Sequence, residues 1–251
     1  MNPRLLFATT ARVLNQIRHD HRSVAMILVV PSFLLAAVYF LFENETLPPG
    51  FPRTFDRVGL VMLAIFPFLI MFLITSVTML RERTSGTLER LLTTPLNKAD
   101  LLFGYAFAFS LLAAVQALVT LAVAYWVFNL DVKGSPLLVA LICVLNSILG
   151  VALGLLCSAF ARTEFQAVQF MPVVVVPQIL LCGLFVARSA MNDVLGAISN
   201  VLPLSYSVEA LQEIGRNTDP SQTMWQDLIA LGIIAVGLLV LASATLRRRT
   251  K

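Results

Sequence analysis

Six stretches of 19 to 28 residues contain no charged side chain, although the chain carries 18 Lys+Arg and 14 Asp+Glu. They are Val24–Phe42, Val58–Leu80, Leu101–Phe128, Pro136–Ala161, Phe165–Ala187 and Leu228–Leu246. About 20 apolar residues cross the hydrocarbon layer of a bilayer as a helix, because a helix satisfies its own backbone there. The pattern predicts an all-α membrane protein with six transmembrane helices. An uncharged interior also predicts no ion relay, no proton relay and no buried acid–base pair within the spans. Energy for any work must then come from outside them.

The chain is 58% hydrophobic and 13% charged, a membrane composition; a soluble helical domain would interrupt its exposed faces with charge. Thirteen of the 18 basic residues fall in 1–23, 81–100, 162–164 and 247–251, and five in the alternate loops. That bias predicts a multi-pass protein of the cytoplasmic (inner) membrane with both termini cytoplasmic. The basic residues are dispersed over several loops, which argues against a nucleic-acid partner. The first apolar segment is long enough to remain as a helix, so no cleavable signal is expected.

Catalytic chemistry has little to work with. The only histidines, His19 and His21, precede the first span, and the spans hold no carboxylate. Neither a His-based nucleophile pair nor a metal site can be built inside the membrane. The phosphate-binding pattern G-x-x-x-x-G-K-[ST] does not occur, so the chain is not read as an enzyme and no cofactor of its own is expected. Cys143, Cys157 and Cys182 lie in predicted helices and are read as small apolar fillers.

No internal repeat is visible, and the chain reads as a single domain over 1–251. Residues 1–23 form an amphipathic pattern, with Leu6, Val13, Leu14 and Ile17 on one face and Arg12, Asn15 and Arg18 opposite. This predicts an interfacial helix on the membrane surface. Residues 43–57, with three prolines and a glycine, read as an irregular external loop. Pro172 and Pro177 predict a kinked fifth span, which also carries Gln166, Gln169 and Gln178. Gly150 and Gly154 have a close-packing spacing, read as packing within the chain. In 188–227, Val194, Leu195, Ile198, Val201 and Leu202 recur at helical spacing, Pro203 breaks the run, and Ser205–Gln212 can form a second helix. Two short helices joined at a proline predict a re-entrant hairpin dipping into the outer leaflet.

The loop 81–100, RERTSGTLERLLTTPLNKAD, is the most informative polar segment. Arg81, Glu82, Arg83, Glu89 and Arg90 mix both signs, Gly86 interrupts them, and Pro95 ends a short helix. Such a helix could offer complementary charge to a soluble partner.

The run MLRERTSGTLERLLTTPLNKADLLFGY resembles the segment E-[RK]-x2-G-T-L-E-x-L-x3-P of ABC-2 type transporter permeases, and LPLSYSVEAL resembles that family's stretch before its last span. In character the chain is similar to the daunorubicin-resistance-like drug and lipid exporters. Polysaccharide-exporting relatives are a second match, disfavoured by two Trp and four Tyr. The resemblance implies a permease dimer, identical or homologous, with each protomer docking one of two ATPase subunits that bind ATP and Mg. The coupling element it implies is Arg81, Glu82, Gly86, Thr87, Leu88, Glu89 and Leu91, ended by Pro95.

The resemblance also implies a pathway at the dimer interface, lined by the first, second and fifth spans. Apolar walls favour hydrophobic or amphipathic cargo, drug-like or lipid-like. Phe66, Phe68, Phe72, Thr75 and Thr78, with Gln169, Phe170 and Gln178, are candidate lining residues. Leu202, Pro203, Tyr206 and Glu209 are candidates for an external gate. A secondary transporter is the alternative on physics alone, but it would normally need a carboxylate or broken-helix ion site at the midplane.

Overall fold

A computed structural model of the chain describes residues 3–45, 48, 52–86 and 98–245. Among them are nine α-helices, one short 3-10 turn at Arg188–Ala190, and no strand. The helices are α1 (Pro3–His19), α2 (His21–Phe42), α3 (Thr54–Thr84), α4 (Lys98–Trp126), α5 (Pro136–Ser158), α6 (Glu164–Leu181), α7 (Asp193–Ser199), α8 (Pro203–Arg216) and α9 (Gln222–Thr245). Six of the described helices, α2 to α6 and α9, are long and apolar enough to cross a membrane.

Helix ends depart from the edges of the uncharged segments. The second span runs on to Thr84 and carries Arg81, Glu82 and Arg83 in helical backbone. The last begins at Gln222, six residues before Leu228, and so includes Asp227, which is buried. The fifth ends at Leu181, short of Ala187, and the chain turns at Gly183 with φ +93°. Uncharged length marks where hydrocarbon can sit, whereas helical hydrogen bonding continues until the backbone is turned or capped. Pro172 and Pro177 leave α6 a single continuous helix.

The centre of the fold is α3 against α5. The two run in the same direction in steady register, shown by three contacts. The Asn146 side chain donates to the Ala64 carbonyl at 2.8 Å. A Cβ at Gly150 would lie 2.4 Å from the Phe68 carbonyl oxygen, and one at Gly154 would lie 2.6 Å from that of Phe72. The two glycines therefore admit a backbone approach that any side chain would block. They pack within the chain, as their spacing suggests. Around this pair, α2 and α6 pack on α3, α4 and α9 pack on α5, and α1 lies along the start of α4.

The loops gather at two ends. At one, Arg53 pairs with Asp56 and donates to the Asn129 carbonyl, and the Asp56 carboxylate accepts from Asp131 N at 3.1 Å. The Gly134 amide donates to Ile214 O at 3.0 Å, which joins α8 to the same end. At the other, α1, the end of α3, the start of α4 and the α5–α6 turn meet. From Leu60, beside Gly215 of α8, to Arg81 the helix rises about 30 Å, one hydrocarbon thickness.

The hairpin forms, but only half of it lies on the surface. The axes of α7 and α8 differ by 91°. In α7, Val194, Leu195 and Ile198 are exposed, and Ser199 is its one buried residue. By contrast α8 is wedged against α3, α5 and α9 and buries Pro203, Leu204, Ser205, Ser207, Val208, Ala210, Leu211 and Ile214. It extends to Arg216, beyond the expected Gln212. Its serines make burial possible, since Ser207 donates to Asn146 at 2.6 Å inside the bundle.

Candidate functional site

Three consecutive charged residues close the last turns of α3, and each reaches a different neighbour. Arg81 makes a bidentate pair with Glu164 of α6, at 2.8 and 2.9 Å. Glu82 turns inward, 5% exposed, to Arg12 of α1 at 3.8 Å and to the Tyr105 hydroxyl of α4. Arg12 also donates to Tyr105 and lies over its ring, 5.5 Å from the centroid. Arg83 donates to the Ser158 carbonyl at the end of α5. One short segment thus ties α1, α4, α5 and α6 together just where the chain leaves α3 for the mixed-charge loop.

This corrects two expectations. Arg12 does not sit on an outer polar face of α1; it points into the bundle between α3 and α4. The buried face of α1 is Thr9, Thr10, Val13 and Ile17. Thr9 and Thr10 return their hydroxyls to the Leu5 and Leu6 carbonyls, and Thr10 also reaches Gly104 O at 3.2 Å, so this side can be polar and still be covered. Glu82, expected to face a soluble partner, is spent on Arg12 and Tyr105. A carboxylate is therefore buried at the end of the spans, beside an Arg12 side chain that stays 34% exposed, just outside the uncharged segments. Of the remaining loop residues, Gly86 takes φ +75°. Thr87, Leu88, Glu89, Leu91 and Pro95 lie outside the described residues.

At the opposite end a second charged cluster holds the hairpin. Arg188 pairs with Glu209 of α8, donates to the Asn200 side chain, and lies 5.1 Å from the centroid of Tyr206. Tyr206 donates to the Asn200 carbonyl. Leu202 caps α8 and Pro203 occupies its first turn, where the missing N–H costs nothing. The four gate candidates therefore share one region, with Leu202, Tyr206 and Glu209 half-buried and Pro203 buried.

The pathway candidates divide. Phe68, Phe72, Thr75 and Gln178 are buried within the chain, the phenylalanines where α3 meets α5. The Gln178 amide donates to Val174 O at 3.1 Å and accepts from Leu204 N at 3.4 Å, so it anchors the start of α8 to α6. Phe66, Thr78 and Phe170 are half-buried and Gln169 is exposed. The first, fifth and last spans, α2, α6 and α9, are equally the least covered, and α2 leaves Met26, Val29, Phe33 and Phe40 exposed along one side. Glu164, Tyr105, Arg188, Asn146 and Ser207 escaped sequence reasoning, because their partners lie 61 to 93 residues away, or 21 for Arg188.

The ABC-2 type transporter family matches residues 4–214. The chain belongs to that family. It is a multi-pass membrane protein and a relative of known permeases. It is 28% identical over 177 residues to the probable multidrug ABC transporter permease YbhR of Escherichia coli K12, covering 70% of this chain and 48% of that one. It is 30% identical over 141 residues to ABC transporter G family member 20 of Dictyostelium discoideum, covering 56% and 19%. It is 26% identical over 140 residues to the linearmycin resistance permease protein LnrN of Bacillus subtilis 168, covering 56% and 36%. The matches span less than half the length of these relatives.

Proposed function

We propose that this ABC-2 family chain is the membrane permease of an ATP-driven exporter of hydrophobic or amphipathic cargo, drug-like or lipid-like, out across the cytoplasmic membrane. Two copies of a separate ATPase power it, and a second permease protomer, identical or homologous, completes it. The observation that carries the reading is the triplet Arg81, Glu82, Arg83. It lies at the root of the loop that the family resemblance assigns to ATPase docking, and it links that loop to four other helices. A displacement of the loop reaches α1, α4 and α5 through the Glu82 and Arg83 contacts, as rigid-body coupling requires, and bears on α6 through the exposed Arg81–Glu164 pair. The names of the relatives, a multidrug permease and a resistance permease, support small amphipathic cargo.

The cargo path is assigned to the first, second and fifth spans, α2, α3 and α6, with Phe66 and Thr78 of α3 and Gln169 and Phe170 of α6 on its wall. Leu202, Pro203, Tyr206 and Glu209 close it on the outer side. The test is extraction of the tagged chain from native membranes in mild detergent. An ABC ATPase should co-purify, and Glu89→Lys should weaken that association while the protein remains folded. Extraction of a folded chain with no associated ATPase activity would overturn the reading.

A further inference from the structure

Helix α6 is held in opposite ways at its two ends. At the hairpin end the contacts are buried and partly buried hydrogen bonds. Gln178 accepts from Leu204 N, the Leu181 carbonyl accepts from Ser199 at 2.8 Å and Ser205 at 3.4 Å, and Gln212 donates to Gly183 O at 3.3 Å. At the loop end its buried apolar contact with the described residues is small. It comprises Leu80, Ala161 and Ala167, flanked by Val77 and by Phe170, which also packs against the largest apolar core. Over this patch lies the Arg81–Glu164 pair, with side chains 60% and 53% exposed. Ala167, Val175 and Gln178 are the described residues of α6 that are buried.

The other two arms of the triplet are unlike this one. Glu82 is buried against Arg12 and Tyr105, and Arg83 is half-buried on the Ser158 carbonyl. Breaking those leaves a desolvated group unpaired, which is costly. Breaking an exposed pair exchanges it for water and ions, so it opens readily and is screened by salt. Asp20, at the α1–α2 joint, lies close enough to Arg81 for their charges to interact, and so offers the released guanidinium another carboxylate nearby.

We propose that the Arg81–Glu164 pair is a releasable latch, and that α6 swings away from α3 at the loop end while its junction with α7 and α8 stays fixed. The end of α3, with α1, α4 and α5, then moves as one body, and α6 is the element that parts from it. The use made of this motion rests on the permease reading, since Arg81 is the triplet's link to α6. The motion itself does not.

The test is a pair of distance measurements by electron spin resonance on the purified full chain in lipid nanodiscs. Cys143, Cys157 and Cys182 are replaced, and spin labels are placed at Thr84→Cys and Phe165→Cys. At low salt a single narrow distance is expected. Raising salt to about 0.5 M, where screening acts within a few ångströms, should add a longer population. Glu164→Gln should add it at low salt, and the charge exchange Arg81→Glu with Glu164→Arg should remove it again. A second pair, at Leu180→Cys and Asn217→Cys, should keep one distance throughout. An unchanged loop-end distance in Glu164→Gln would overturn the latch, because the Leu80 patch would then suffice to hold α6. A change that the charge exchange fails to reverse would overturn it too, since the effect would come from the start of α6 and not from the pair. Movement of the second pair would overturn the fixed pivot. No ATPase enters the measurement, so the latch and the permease reading fail separately: co-purification decides the latter.

Discussion

At the scale of single residues, close approach and polar satisfaction make sharp demands. Gly150→Ala and Gly154→Ala place a methyl 2.4 and 2.6 Å from backbone oxygens of α3. Backbone cannot give way as a side-chain tip can, so each should destabilise by about 1–3 kcal/mol. Gly232 and Gly237 of α9 have nothing within 4 Å of an added Cβ. Alanine there should be neutral or gain up to about 1 kcal/mol of helix propensity. Melting curves in detergent separate the two pairs, and equal shifts would refute the register of α3 on α5. Glu82→Lys and Glu89→Lys should also differ. The first buries a repelled charge beside Arg12, and folded protein should be lost from the membrane fraction. The second should leave the yield unchanged and act on ATPase association alone. Both look alike in sequence, as acids in one mixed-charge run; the packing of α1 makes Glu82 internal.

At the scale of elements, the three glutamines of the fifth span separate by role. Gln178→Leu removes the acceptor for Leu204 N and a donor to Val174, so α8 loses an anchor. A fall in melting temperature equivalent to about 1–2 kcal/mol is expected. Gln169→Leu, on the exposed side, should leave melting unchanged but alter which compounds stimulate ATP hydrolysis. If Gln169→Leu lowers the melting temperature and leaves the compound profile untouched, its place on the pathway is lost. The helices themselves were legible: uncharged length located all six, and the proline at 203 located the hairpin. Their covered faces were not. Polar α8, with Ser205, Tyr206, Ser207 and Glu209 in its first turns, reads as a surface helix but is largely buried, because Ser207 and Asn146 satisfy each other inside. Apolar α7 stays outside. Periodicity reports which residues share a face, not what that face meets.

At the scale of the whole molecule, the arrangement of loops is open to direct test. Ser135 and Asn217 are exposed at the hairpin end, and Thr94 belongs to the loop that leaves the opposite end of α3. Cysteines at Ser135 and Asn217, in a cysteine-free background, should react with an impermeant thiol reagent on intact cells. One at Thr94 should react only after lysis. Labelling at Thr94 on intact cells would reverse the proposed orientation. The number of spans, the grouping of loops by basic charge and the family itself were determined by the sequence alone, because burial in lipid is decided by composition over some 20 residues and needs no partner. The tertiary structure decided which charges face inward and which serines bridge helices. Those depend on residues distant in the chain being brought within hydrogen-bonding reach, and Arg12, Glu82 and Tyr105 have nothing in common until α1, α3 and α4 pack together.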